Sequence, residues 1–358
     1  MKQTRITIKD IAKEFGVAVS TVSRALHNSN EVSDELKKNI CDYAAAHHYQ
    51  PNMLATSLRN CRVERTKTIG VIIPKFVHYF FSCVLSGIET TASHQGYSIM
   101  VAQSDEAYEN EKEIMQRFNA ARVCGVIVSL AKDTKQYDHF QELLNIKVPI
   151  VFYDRICTEL KTSRVVVDDY AGAFEAVDYM IKTGCRRVAF LGSVMTLEIA
   201  KNRCNGYKDA LLKNHIKIDE RLIMQCDKQG DAHLLLPKLL LDKDRPDALF
   251  AINDDIAFEA LQVCRELNLD VPKDVSICGF SNSTITKVCN PQLTSVEQRG
   301  YDVGVEAAKI LINNAENKDE DIKIKNKIIE TTLVVRGSTL PMPLNDNDEK
   351  LNILNFNL

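Results

Sequence analysis

Along the 358-residue chain the apolar positions follow two rhythms. From Ile69 onward, short runs rich in β-branched residues recur: IGVII from Ile69, YSIMVA from Tyr97, GVIVSL from Gly125, VPIVFY from Val148, RVVV from Arg164, RVAFLG from Arg187, ALFAI from Ala248 and DVSICGF from Asp274. Their length and branching predict buried β-strands. Most are separated by one segment of helix length, such as FSCVLSGIETTASHQG or AGAFEAVDYMIKTG, the latter ending on Gly184 where a helix cap belongs. Repeated strand and helix units predict an α/β fold of parallel sheets covered by helices on both faces. About 270 residues of this pattern exceed one sheet and suit two lobes. The segment TELKTS interrupts the rhythm and suggests a parting near residues 158–165.

The first 50 residues keep a helical rhythm in short pieces. Thr7 with Asp10 makes a capping-box-like start, and Ile8, Ile11, Ala12 and Phe15 then share one face before Gly16 stops the helix. A second short helix through Leu26 turns Val22, Ala25 and Leu26 inward and leaves Val19, Ser20, Thr21 and Arg24 outward. Ser33 caps a third helix, which closes a small core through Leu36, Ile40, Tyr43 and Ala44. Two such helices crossing steeply form a helix-turn-helix, whose second member can enter a DNA major groove, although a generic three-helix bundle shows the same pattern.

Charge sharpens this reading. Residues 1–65 hold ten Lys and Arg against seven Asp and Glu, within a chain of net charge −3, so one basic end sits on an acidic remainder. That distribution fits contact with a polyanion through the head alone. No charged and then apolar leader opens the sequence and no apolar run approaches membrane-spanning length, which predicts a cytoplasmic protein with no membrane partner. The eleven cysteines are odd in number, contain no C-x-x-C, and at Cys124, Cys226, Cys264 and Cys278 lie in or beside apolar runs, so they read as reduced buried thiols. His47 and His48 are adjacent rather than at ligand spacing, and neither a metal nor another cofactor is expected. A dinucleotide fingerprint, a P-loop and a nucleophile elbow are all missing, which argues against an enzyme.

The head sequence TIKDIAKEFGVAVSTVSRALHNSNEVSDELKKNI, with HHYQPNMLATSLRN and TKTIGVIIP after it, resembles the LacI/GalR family of transcriptional regulators. The likeness continues through PIVFYDR, GCRRVAFLGS, RCNGYKDAL, PDALFAINDDIAFEAL, VPKDVSICGFSN and PQLTSVEQ, so that it covers roughly residues 7–340. It implies a DNA-binding head (1–50), a hinge helix and linker (51–67), and a two-lobed periplasmic-binding-protein-like body (68–340). The first lobe is expected at about 68–163 plus 293–328, the second at about 164–292 plus 329–340, and residues 341–358 as a flexible tail. Carried across by position, the resemblance assigns base reading to Val19, Ser20 and Arg24, and phosphate contacts to Thr7, Thr21, Ser33, Tyr49 and Asn52. Ala18 stands where the family usually has a capping Ser, a change worth about 0.5–2 kcal/mol of helix stability. The segment NMLATSLRN is too short to hold a helix alone, and in the family it orders on DNA, where the residue matching Leu58 wedges into the minor groove.

In open α/β sheets ligands sit beyond the carboxyl ends of strands, which nominates Phe80, Ser129, Asp154, Arg155, Asn253 and Ser281, together with Arg203. Paired Asp, Arg and Asn beside an aromatic ring suit a hydroxyl-rich sugar, the ligand class that the resemblance also implies. Asp154 and Arg155 equally fit a structural ion pair, and Phe80 or Phe81 fits the core. Ser281 replaces a common Asp and Lys228 a stacking aromatic, so a purine or a protein co-regulator stays open as the effector, as does a solute-binding role. The expected function is a homodimeric regulator that reads a pseudo-palindromic double-stranded DNA operator and answers a small effector, through differential binding to two lobe arrangements.

Overall fold

The computed structural model describes residues 6–26, 29–47, 49, 65–195, 197–226, 228–317 and 322–343. The chain divides into two compact units, Met1–Thr66 and Lys67–Leu358.

In the first unit, α1 (Ile8–Glu14) begins with a complete capping box: the Asp10 amide donates to Thr7 Oγ1 and the Thr7 amide to Asp10 Oδ2 at 2.8 Å. The Thr7 hydroxyl, donating to Asp10 Oδ2 at 2.6 Å, and the Thr7 amide together stabilise the ionised carboxylate and hold Asp10 below its ordinary pKa. Gly16 takes φ +63°, the left-handed geometry that ends the helix. α2 (Val19–Leu26) and α3 (Asp34–Ala46) then close a core of Ile11, Ala12, Val22, Ala25, Val32, Ile40 and Ala44. Ile8, Phe15, Leu26, Leu36 and Tyr43 lean on its edges. Two expectations need correction. Ser33 occupies the cap position of α3, but its side chain makes no capping hydrogen bond. Val19 is half-buried against the core rather than free on the outer face.

The second unit contains two six-stranded sheets. The first lobe runs β1 (Thr68–Ile73), α4 (Tyr79–His94), β2 (Ser98–Gln103), α5 (Tyr108–Ala120), β3 (Gly125–Val128), α6 (Asp138–Asn145), β4 (Ile150–Tyr153) and β5 (Ser163–Val167). The second runs α7 (Asp169–Lys182), β6 (Val188–Gly192), α8 (Glu198–Lys213), β7 (Ile223–Gln225), α9 (Asp231–Leu240), β8 (Ala248–Ala251), α10 (Asp254–Glu266), β9 (Ser276–Phe280), α11 (Thr284–Val288) and β10 (Thr294–Glu297). The chain then returns to the first lobe for α12 (Gly300–Glu316) and β11 (Asn326–Ile329), and ends in the second with β12 (Thr332–Val334).

Strand order is β11-β5-β4-β3-β1-β2 in the first sheet and β12-β10-β9-β8-β6-β7 in the second, with every pairing parallel except β10 with β12. The parting therefore falls after Val167, not at 158–165. The strand at 163–167 belongs to the first lobe because it pairs with β4 and β11. The strand at 294–297, expected with the first lobe, belongs to the second because it pairs with β9. Three crossings join the lobes, at 167–169, 297–300 and 329–332.

Each lobe is tightened by helices whose backbones touch. A Cβ on Gly87 of α4 would lie 2.1 Å from the Tyr301 carbonyl oxygen, and one on Gly304 of α12 would lie 2.0 Å from that of Val84. In the second lobe Gly206 of α8 meets the Tyr170 carbonyl of α7 in the same way, at 2.4 Å. No helix among the described residues is long and apolar enough to cross a membrane. Cys124, Cys226, Cys264 and Cys278 are all buried and outside any disulfide, and burial pushes the Cys264 thiol up to about 12.

Candidate functional site

The carboxyl ends of β1, β4, β6, β8 and β9 converge between the lobes on a cavity of about 280 Å³. Phe80, Asp154, Arg155, Arg203, Asn253 and Ser281 all line it. Ser129 does not; it is fully buried behind the wall, with its Oγ 3.5 Å from Asp154 Oδ2. Lys228 is exposed and away from the cavity.

Arg203 is held more firmly than sequence suggests. Its Nε lies 2.8 Å and its Nη2 2.7 Å from Asp169 Oδ1, its Nη1 donates to the Ile252 carbonyl, and the guanidinium sits 3.7 Å over the Phe280 ring. Asp169 is itself buried, and desolvation raises it to about 6 against the pull of Arg203. Facing this pair from the first lobe, Asp154 takes a left-handed backbone (φ +57°), and burial raises its carboxyl above the usual range despite Arg155 and Arg203. Arg155 binds the Glu106 carboxylate and the Leu130 carbonyl, so the expected Asp154–Arg155 pair is the looser one, with Nε 3.9 Å from Asp154 Oδ2.

Asn253 caps α10, its Oδ1 accepting from the Ile256 amide at 3.0 Å, which leaves Nδ2 as its group for a ligand. Beside it Asp254 is buried, accepting from the Ser283 amide at 2.7 Å and the Ser295 hydroxyl at 2.5 Å. Ser281 Oγ donates to Gln298 Oε1 at 2.6 Å, tying the cavity wall to one of the three crossings. Phe80 and Phe81 both border the cavity and are otherwise packed, with centroids 5.6 Å apart. Sequence reasoning missed Asp169, Asp254, Glu106, His78, Asp255 and Gln298. A signal for Asp169 existed, since VVVDDYAG places it directly after a strand. Glu106 and Gln298 come from loops whose paths only the folded sheets fix.

On the head, Ser20 and Arg24 are exposed on α2 and Thr21 is half-buried. Arg24 Nε lies 3.2 Å from Glu31 Oε2, an exposed pair. Thr7 and Ser33 are exposed, and Tyr49 is half-buried, its amide donating to the Ala44 carbonyl. α2 starts without a side-chain acceptor at Ala18, whose carbonyl takes the Thr21 and Val22 amides. Asn52 and Leu58 lie outside the described residues. Among the described residues no cluster of three or more His, Cys, Asp or Glu could hold a metal.

Two family models match the chain: bacterial regulatory proteins of the lacI family at residues 7–52, and the periplasmic binding protein-like domain at residues 177–339. HTH-type transcriptional regulator RegA of Clostridium acetobutylicum is 32% identical over 334 residues, which is 90% of this chain and 98% of that protein. Among solved structures, a complex of the transcriptional regulator CelR with cellobiose matches at TM-score 0.70 and 25% identity, covering 93% of this chain and 100% of that one. The Lac repressor dimer bound to operator and the anti-inducer ONPF shares the fold at TM-score 0.81 and 21% identity, covering 94% of this chain and 100% of that one. A helix-turn-helix head joined to a two-lobed body of parallel sheets defines a DNA-binding transcriptional regulator. The chain belongs to the LacI family of bacterial transcriptional regulators.

Proposed function

We propose that the cleft binds a small effector, a sugar or sugar derivative, and that occupancy changes the affinity of the head for a pseudo-palindromic operator bound by a homodimer. The observation that carries this reading is the convergence of opposed polar groups from both lobes, Asp154 from one and Arg203 with Asn253 from the other, on a single cavity bordered by Phe80. A ligand bridging them favours one lobe arrangement, and only such differential binding can move a coupled equilibrium. The cellobiose in the CelR complex supports the ligand class. In the same reading Ser20 and Arg24 contact base edges and Val19 a thymine methyl from the rim of the head core, while Thr7, Thr21, Ser33, Tyr49 and Asn52 hold phosphates and Leu58 enters the minor groove. The relatives are regulators, which supports a cytoplasmic, non-enzymatic role.

The test joins two measurements on the purified full chain. Selection from a random duplex library yields the operator, and fluorescence anisotropy then follows its binding while mono- and disaccharides are added. A protein that stays monomeric and enriches no duplex, with or without sugar, is not the regulator described.

A further inference from the structure

Every guanidinium at the cavity is already matched by a carboxylate, and the surrounding charges sum to the acidic side. Among the described residues, Lys132, Arg155 and Arg203 line it as cations and Asp154, Asp254 and Asp255 as carboxylates. Behind the two guanidiniums stand Glu106 and Asp169, bound to them directly, so five carboxylates face three cations. Helix starts, whose free amides usually attract anions, are pre-empted in the same way. α7 begins with Asp169, α8 with Glu198, and α10 with Asp254 and Asp255. Arg203 illustrates the result: Nε, one Nη2 proton and one Nη1 proton are spent within the protein, leaving N–H groups suited to neutral hydroxyl acceptors but no unmatched charge.

Resting on the reading of the cleft as an effector site, we propose that it selects uncharged ligands and rejects phosphate esters and carboxylates, with Glu106 and Asp169 as the residues that set this preference. An incoming anion meets the buried carboxylates of Asp154 and Asp254 in the cavity wall, with that of Asp169 directly behind Arg203, where water screens little. Burial has already raised all three above their ordinary pKa, so a further negative charge must protonate them or be excluded. A polyol adds hydrogen bonds and no charge. Discrimination of this kind works by penalising the wrong ligand as much as by rewarding the right one.

Matched pairs test the proposal: glucose and glucose 6-phosphate, ribose and ribose 5-phosphate, cellobiose and cellobionate, adenosine and adenosine 5′-monophosphate, each titrated calorimetrically into the full-length protein at neutral pH. In whichever pair binds, the neutral member is expected to bind roughly tenfold or more tightly than the anionic one. Because Asp169→Asn risks the fold, the variant is Glu106→Gln, which keeps an acceptor for Arg155 and removes one charge. Its expected effect is a severalfold narrowing of the ratio between the two members. An anionic member that binds as well as its neutral counterpart, or a ratio that Glu106→Gln leaves unmoved, overturns the proposal. Silence from every member of every pair removes the cleft as an effector site, and this selectivity with it.

Discussion

His78 Nδ1, at the start of α4 in the first lobe, lies 3.7 Å from Asp255 Oδ2 on α10 of the second. Burial is the largest influence on His78 and lowers its pKa below 6.5, with Arg155 and Lys132 acting in the same direction and Asp255 and Glu106 opposing them. At neutral pH the imidazole is therefore uncharged. The unfolded chain takes up the proton first as pH falls, so the native state loses stability from about pH 6.5 down to the depressed folded value and levels off below it. Comparison of melting curves for the natural protein and His78→Gln across pH 5–7 checks this: the stability advantage of histidine is expected to shrink toward the acid end.

Arg203→Ala carries two expected losses. The effector-dependent thermal shift disappears, because the guanidinium faces the cavity. The empty protein also weakens, because Asp169 is left buried without its partner. Breaking a buried pair in this way costs about 3–5 kcal/mol. Urea denaturation of the ligand-free variant measures it.

Gly87→Ala and Gly304→Ala force α4 and α12 apart, since each added methyl would sit about 2 Å from a carbonyl oxygen of the opposite helix. Overpacking of this kind costs about 1–3 kcal/mol. Gly96→Ala, with open space around it but φ +73°, serves as the comparison whose cost is backbone strain alone. Chemical denaturation of the three variants separates steric from conformational expense.

Arg24→Ala is expected to leave stability nearly unchanged, because the pair with Glu31 is exposed and such pairs contribute about 0–1 kcal/mol. In a selection from random duplexes it should relax preference at one symmetric pair of operator positions. An unaltered selection profile removes Arg24 from base reading.

Strands such as IGVII and VPIVFY were legible because burial on both faces writes an unbroken apolar run, and five of the seven cleft candidates were legible because they follow strands whose ends must open into the crevice, while Arg203 reaches it from within α8. The short strands IMQ, TSVE, NKII and TLV left no such mark: each has three or four residues, much of it polar, and is recruited by a neighbour's edge. The lobe boundary was misplaced for a related reason. RVVV looks the same whichever sheet it joins, and only its pairing with β4 and β11 decides. Ser129 follows the strand-end rule yet points behind the wall, since the rule locates a crevice edge and not a side chain's direction. The partners of the two guanidiniums, Glu106 and Asp169, come from distant parts of the chain and become visible only once the sheets are assembled.

The three crossings have a practical consequence for anyone wishing to rewire this regulator. Neither half of the body is encoded as an uninterrupted stretch, so a splice that swaps one half for a cousin's needs at least three junctions in register, whereas transplanting everything from Lys67 onward needs one. Chimeras that exchange ligand preference are therefore best cut just ahead of Lys67, leaving the woven segments intact.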